Sequence, residues 1–179
     1  LAEQPASLVF IGAGVIALEF THVFARAGTK VTIIELAGRA LPRHDADVVD
    51  VLVEATRALG VDIFTAAKTQ SIEKSAAGFT VTFEHAGEVK TVEAACVANG
   101  AGRIPDVEDL DLDAGGIDHQ GFKILVDEFL RSTSKPDVFV ARDAGPAPQL
   151  SPAATYDGRI VGHNITNHCY ATTRQRINQ

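Results

Sequence analysis

Residues 7–11, SLVFI, form a short apolar run with β-branched and aromatic members, the pattern of a buried strand. From Val15 the apolar positions Ile16, Phe20, Val23 and Ala27 fall at helical spacing and predict a helix that Gly28 closes. Residues 30–34 read as a second β-branched strand, ending on Glu35. After a loop, Asp45 or Asp47 can cap a second helix, with Val48, Leu52, Ala55 and Leu59 as its buried face and Gly60 as its stop. Residues 61–64 then form a third strand. From here the period drops to two. Residues 69–74, 79–84 and 88–92 alternate, with Gly78 and Gly87 between them, and predict an antiparallel meander with Thr80, Thr82 and Glu84 on its polar face. Residues 94–98 are apolar again and suit a strand returning to the parallel sheet.

The rest of the chain has a different character. Residues 106–113 are acidic and read as loop or a short helical turn. Residues 123–126 and 137–141 read as strands, with a turn or short hairpin at 127–133 between them. A proline-bearing loop at 146–148 leads to a helix over about 152–164, and the last ten residues are polar and expected to fray. The fold class is therefore α/β: a Rossmann-like βαβαβ parallel sheet with an inserted antiparallel meander. The expected boundary divides residues 1–112 from 113–179, and the second part has too few elements for a core of its own.

Composition narrows the function classes. Of 179 residues, 46% are hydrophobic and the net charge is −7, which argues for a soluble globular protein without a nucleic-acid surface. No apolar run reaches transmembrane length and no signal-peptide pattern opens the chain, so a cytoplasmic location is the expectation. The absence of methionine suits a piece of a longer polypeptide. The two cysteines, Cys96 and Cys169, lie far apart and suggest no disulfide framework; Cys96 reads as a buried structural thiol. His22, His85 and His119 are isolated, and one helix would not place His163 and His168 on one face, so no metal site is expected. No catalytic triad pattern emerges.

The chemistry concentrates between residues 7 and 35. Strand, Gly12-Ala13-Gly14-Val15-Ile16-Ala17, helix, strand and Glu35 follow in the order of a dinucleotide-binding fingerprint. Gly12 permits the tight turn, Gly14 lets a pyrophosphate approach the backbone, and small Ala17 lets the helix pack close to the sheet. The helix start offers N–H groups and a positive dipole end to phosphates. Glu35 is placed to accept hydrogen bonds from ribose hydroxyls and to repel a 2′-phosphate, which favours NAD over NADP. Arg39, Arg43 and His44 in the following loop are the counterweight, since a basic loop there would favour NADP.

GAGVIALEF, the meander, VANGAGRIPDVEDLDLDAGG, VDEFLRSTSKPDVFVARD and PQLSPAATYDGRIVGHN, in that order, resemble the flavoprotein pyridine nucleotide–disulfide oxidoreductases. This is the family of dihydrolipoyl dehydrogenase, glutathione reductase and mercuric reductase. The resemblance runs over about residues 6–165. It implies an NAD(P)-binding domain followed by a central segment that would complete an FAD-binding domain. It implies that Gly12, Gly14, Val15 and Ile16 hold the NAD pyrophosphate and that Glu35 takes the adenosine ribose. Glu19 matches a helix glutamate near the nicotinamide, and Gly100 lies in a loop close to both cofactors. Asp143 matches the aspartate that binds the flavin ribityl chain.

Three departures accompany the match. Arg142 stands where the resemblance implies glycine, and a bulky cation there counts against the FAD contact. Asn99 replaces a threonine, and Ala101-Gly102 are extra residues before Arg103, both marks of a divergent branch. A first flavin fingerprint, a close redox cysteine pair and a C-terminal His-Glu pair are missing from the sequence. The expectation is an NAD(H)-binding portion that supports hydride transfer from NADH to FAD in an intact, homodimeric enzyme and has no turnover alone. Its partners would be the FAD and dimerisation domains of the same polypeptide. The rival readings are a non-catalytic NAD-binding or interaction protein with a degenerate flavin site, and an NADH oxidase or ferredoxin reductase type of flavoprotein.

Overall fold

A computed structural model describes residues 3–76, 78–145 and 150–167. The proline loop at 146–148, His168, Cys169 and the last ten residues lie outside the described residues. The chain divides into two compact units, Leu1–Gly102 and Arg103–Gln179. The division falls before the expected boundary at 112, because Val107 and Leu112 are buried with Ile124 and Val140 in the core of the second unit.

In the first unit, β1 (Ser7–Ile11), β2 (Lys30–Ile34), β3 (Asp62–Phe64) and β7 (Cys96–Asn99) form a parallel sheet in the order β3-β2-β1-β7. Helices α1 (Val15–Arg26) and α2 (Ala46–Arg57) connect its strands. They cover one face, where Leu8, Phe10, Val31 and Ile33 meet Ala17, Leu18 and Val49. The other face packs under the meander of β4 (Ala67–Ser75), β5 (Gly78–His85) and β6 (Glu88–Ala94). There Val9 and Ile34 meet Val81 and Phe83. The alternation read from the sequence holds, since Val81 and Phe83 are fully buried while Thr80, Thr82 and Glu84 are not. A sheet covered on both faces explains why its strands are nearly all apolar.

The helices correct the sequence reading. Ile16, Phe20 and Val23 of α1 are exposed, and Ala17, Leu18 and Thr21 face the sheet. In α2, Val48 is exposed and Val49 and Thr56 are buried. Small residues allow close helix–sheet approach, so the bulkier apolar stripe is turned outward. Asp45 is the N-cap residue of α2 but makes no side-chain cap bond. Cys96 is half-buried against the helix-side core rather than fully enclosed.

The second unit contains the two-stranded sheet of β8 (His119–Gln120) and β9 (Lys123–Ile124), and α3 (Ser151–Asn167). Residues 137–141 do not form the expected strand. Phe139 makes one isolated bridge with Arg131, and the Val140 N–H donates to the Leu130 carbonyl. A ladder needs neighbours along its length, and the backbone bonds of this segment run to Leu130, Ser132 and Lys135. That turn is knit by Asp127, whose carboxylate accepts from the Phe129 N–H at 2.9 Å, the Arg131 N–H at 3.0 Å and the Arg131 guanidinium at 2.8 Å. Helix α3 docks through buried Asp157, Ile160 and Asn164, and the Asn164 amide donates to the Phe129 carbonyl.

Burial pushes the Asp127 carboxyl up, but the hydrogen bonds from Arg131 and Phe129 and the Arg131 charge outweigh it and hold it below 3.8. A carboxyl lowered on folding stabilises fully above its unfolded value, and that contribution is lost as pH falls through the folded value. The melting temperature of the second unit is therefore expected to fall on acidification below about pH 5, and less steeply for Asp127→Ala. Parallel melting curves of the two proteins against pH would contradict this assignment.

Candidate functional site

The glycine turn joins β1 to α1 at the carboxyl end of the parallel sheet. Gly12 has φ +99, and its N–H donates to the Ile34 carbonyl at 2.7 Å. A Cβ on Gly12 would lie 2.6 Å from the Gly100 carbonyl oxygen, so backbone crowding and conformation both require glycine. Gly14 differs. Its φ of −78 suits any residue, and a Cβ there would meet only the Gly100 oxygen, at an ordinary 3.6 Å. The fold itself does not need glycine at 14, so the open space above the helix start is available to a ligand.

The first helical bond of α1 runs from the Leu18 N–H to the Gly14 carbonyl at 3.0 Å. The N–H groups of Val15, Ile16 and Ala17 therefore have no intrahelical acceptor, and no side chain caps them. These donors fit an anionic group such as a pyrophosphate. The Val15 and Ile16 side chains are exposed, so the backbone of these residues is the binding element.

Glu35 leaves the end of β2 and reaches back to this turn. One carboxylate oxygen accepts the Ala13 N–H at 2.5 Å and the other accepts the Ala37 N–H at 2.7 Å. Its backbone is held between the Phe64 carbonyl and the Ala67 N–H. The carboxylate is thus fixed beside the glycine turn, and each oxygen keeps capacity for a further donor. One end of the Arg39 side chain is engaged within its own loop. Its guanidinium donates to the Pro42 carbonyl at 3.0 Å and to the His44 carbonyl within its own loop. Arg43 is exposed.

Gly100 has a packing task. A Cβ there would fall 2.8 Å from the Ala17 Cβ and 3.2 Å from the Ile11 carbonyl oxygen. The methyl at the third fingerprint position is accommodated because Gly100 faces it, a long-range pairing with no local sequence signal. Glu19 lies one turn beyond Val15, exposed, on the rim of a largely apolar 440 Å³ groove with Leu18, His22, Leu41 and Leu52. The His22 ring bonds the Thr56 hydroxyl at 2.9 Å. No cluster of three metal-ligating residues occurs among the described residues, and no helix there is long and apolar enough to cross a membrane.

In the second unit, Asp143 lies in a 3-10 turn over Arg142–Ala144, beside a 280 Å³ pocket that Arg103, Leu150, Ser151 and Ala154 also line. Its carboxylate is 48% exposed and 3.9 Å from the Arg103 guanidinium. A half-exposed carboxylate at a pocket wall fits a hydroxyl-bearing ligand such as a ribityl chain.

Comparison with known proteins agrees with this geometry. Residues 1–158 match the family described as pyridine nucleotide-disulphide oxidoreductase. The chain is 36% identical over 169 residues to dihydrolipoyl dehydrogenase of Geobacillus stearothermophilus, covering 94% of this chain and 36% of that protein. It is 31% identical over 166 residues to mercuric reductase of Staphylococcus aureus, covering 92% of this chain and 30% of that protein. The chain thus spans about a third of the length of these relatives. Among solved structures, the HOCl-induced flavoprotein disulfide reductase RclA of Escherichia coli superposes with a TM-score of 0.83 at 28% identity, over all of this chain and 40% of that one. An engineered water-forming NADPH oxidase bound to NADPH superposes with a TM-score of 0.79 at 27% identity, covering 92% of this chain and 38% of that one. A glycine turn, a bound-in strand-end glutamate and a match over nearly the whole sequence converge on one assignment: the chain belongs to the pyridine nucleotide-disulphide oxidoreductase family of FAD- and NAD(P)-dependent oxidoreductases.

Proposed function

We propose that this chain is the NAD(H)-binding portion of a flavin-dependent oxidoreductase, of the disulfide reductase type. The observation that carries the reading is the Glu35 carboxylate, held on the Ala13 N–H beside a helix start whose N–H groups lack acceptors. The Val15 and Ile16 N–H groups would hold the pyrophosphate, with Gly14 leaving room for it. Glu35 would orient the adenosine ribose by accepting from its hydroxyls. A fixed carboxylate repels a 2′-phosphate, and Arg39 is bonded within its own loop, so NADH is favoured over NADPH. Bound NADH is a hydride donor, and FAD is the acceptor in the intact protein. The FAD and dimerisation domains of the same polypeptide, a homodimer and a cytoplasmic location complete the proposal.

Glu35→Ala removes the ribose acceptor and one strand of support for the turn. Losing a charged hydrogen-bond partner costs about 1.5–3 kcal/mol, so NADH affinity should fall by roughly tenfold to a hundredfold. Calorimetric titration of both proteins checks it, and unchanged affinity would remove Glu35 from the site. The isolated chain should show no acceptor-dependent NADH oxidation beyond free flavin when FAD is added. Robust turnover would show that the chain is itself a complete oxidoreductase.

A further inference from the structure

Helix α1 turns an apolar line away from the sheet. Ile16, Phe20 and Val23 follow at i, i+4 and i+7, so they share one face, and each is at least half exposed. Phe20 is braced there: its ring leans on Phe24, which packs against the helix-side core, with centroids 6.4 Å apart. Helix α2 adds Val48 and Val51, 66% and 68% exposed. The groove between the two helices, lined by Leu18, Leu41 and Leu52, joins these faces with apolar wall. Together the exposed side chains present on the order of 500 Å² of apolar surface. A standard protein interface takes about 800 Å² from each partner, a little over half of it apolar. The patch therefore matches the apolar area that one side of a stable pair needs, and it is at the upper end of what a monomer leaves open.

The charges beside the stripe select the occupant. Glu19 and Arg26 stand at i and i+7, two turns apart on one line of α1, and both are exposed. Neither forms an ion pair with another described residue. We propose that this face binds a second copy of the chain, through a two-fold axis that crosses α1 between His22 and Val23 and sets Glu19 of each copy against Arg26 of the other. A two-fold contact must be self-complementary: what one copy offers on one side of the axis, the other must match. Opposite charges equally spaced about one point on α1 meet that condition. The two α1 helices then run antiparallel, with opposed dipoles and with Phe20 of each copy near Val23 of the other. The apolar stripe supplies the affinity, with the braced Phe20 as its aromatic anchor, and the two ion pairs fix the register. This pairing belongs to the chain itself and is separate from the dimerisation domain and the nucleotide seat of the functional reading above.

Sedimentation equilibrium of the full chain tests it, at about 0.15 M salt so that long-range charge effects are screened. The monomer is 18.9 kDa. The mean mass should climb toward twice that value with a dissociation constant on the order of 10 μM. Phe20→Asp should weaken the pair at least tenfold. Melting curves first establish that each variant is folded; if Phe20→Asp is not, Val23→Asp, at a side chain 62% exposed, replaces it. Glu19→Lys and Arg26→Glu should each weaken the pair by roughly tenfold, because like charges then face each other across the axis. The double variant carrying both changes should regain the affinity of the unaltered chain to within about threefold, since the charges are exchanged but still opposed. A chain that stays monomeric at every concentration up to about 100 μM overturns the proposal and leaves the face to a different partner. A dimer that the substitution at 20 or 23 does not weaken uses another surface, which also overturns it. A double variant no stronger than the single ones overturns the two-fold pairing of Glu19 with Arg26.

Discussion

Gly14→Ala is expected to remove most NADH affinity while leaving the fold intact or slightly more stable. The backbone at 14 is in a conformation open to alanine, and the added methyl would touch the protein only at the Gly100 oxygen, 3.6 Å away. Replacing glycine where alanine fits without strain stabilises by about 0.5 kcal/mol, because the unfolded chain loses freedom. The same methyl occupies the space above the helix start where a pyrophosphate must meet the Val15 and Ile16 N–H groups. Displacing those contacts should cost about 2 kcal/mol of binding, roughly thirtyfold in affinity. Melting and calorimetry on one preparation give both signs. A loss of stability with unchanged NADH affinity would make Gly14 a folding residue and empty the proposed seat.

Gly12→Ala should do the reverse. Its φ of +99 is strained for alanine, and its methyl would fall 2.6 Å from the Gly100 oxygen and 2.8 Å from the Ala101 Cα. Backbone strain of about 1–3 kcal/mol and overpacking of about 1–3 kcal/mol add, since neither backbone can withdraw without opening the β1–β7 contact. A loss of about 4 kcal/mol should lower the melting temperature of the first unit by roughly 15 °C or more. A melting temperature within about 2 °C of the unaltered chain would show that the turn can relax, against the crowding described here. The two glycines of one hexapeptide thus separate into a folding role and a binding role.

The sequence makes the first unit legible where structure is locally punctuated. Gly12 after an apolar strand, Gly28 after a helical run and Glu35 at a strand end each state their element within a few residues. The change to alternation after residue 68 marks the meander in the same way. What was not legible depends on distant partners. Ile16, Phe20 and Val23 look like the buried stripe of α1, but close approach to the sheet selects Ala17 and Thr21 instead. Gly100 reads as a cofactor-loop glycine until Ala17 is seen opposite it. Residues 137–141 have strand composition, yet composition cannot supply the neighbour that a ladder needs. Neither the left-handed backbone of Arg142 nor its pairing with Asp157 on α3 has a local signature.

The glycine turn and Glu35 are proposed as a working NAD(H) seat in this chain. Calorimetric titration of the unaltered chain with NADH and, separately, NADPH tests it most directly. Saturable binding of NADH and markedly weaker binding of NADPH are expected, as a carboxylate held at the Ala13 N–H requires. Preference for NADPH, or no binding of either nucleotide by the folded chain, would contradict it.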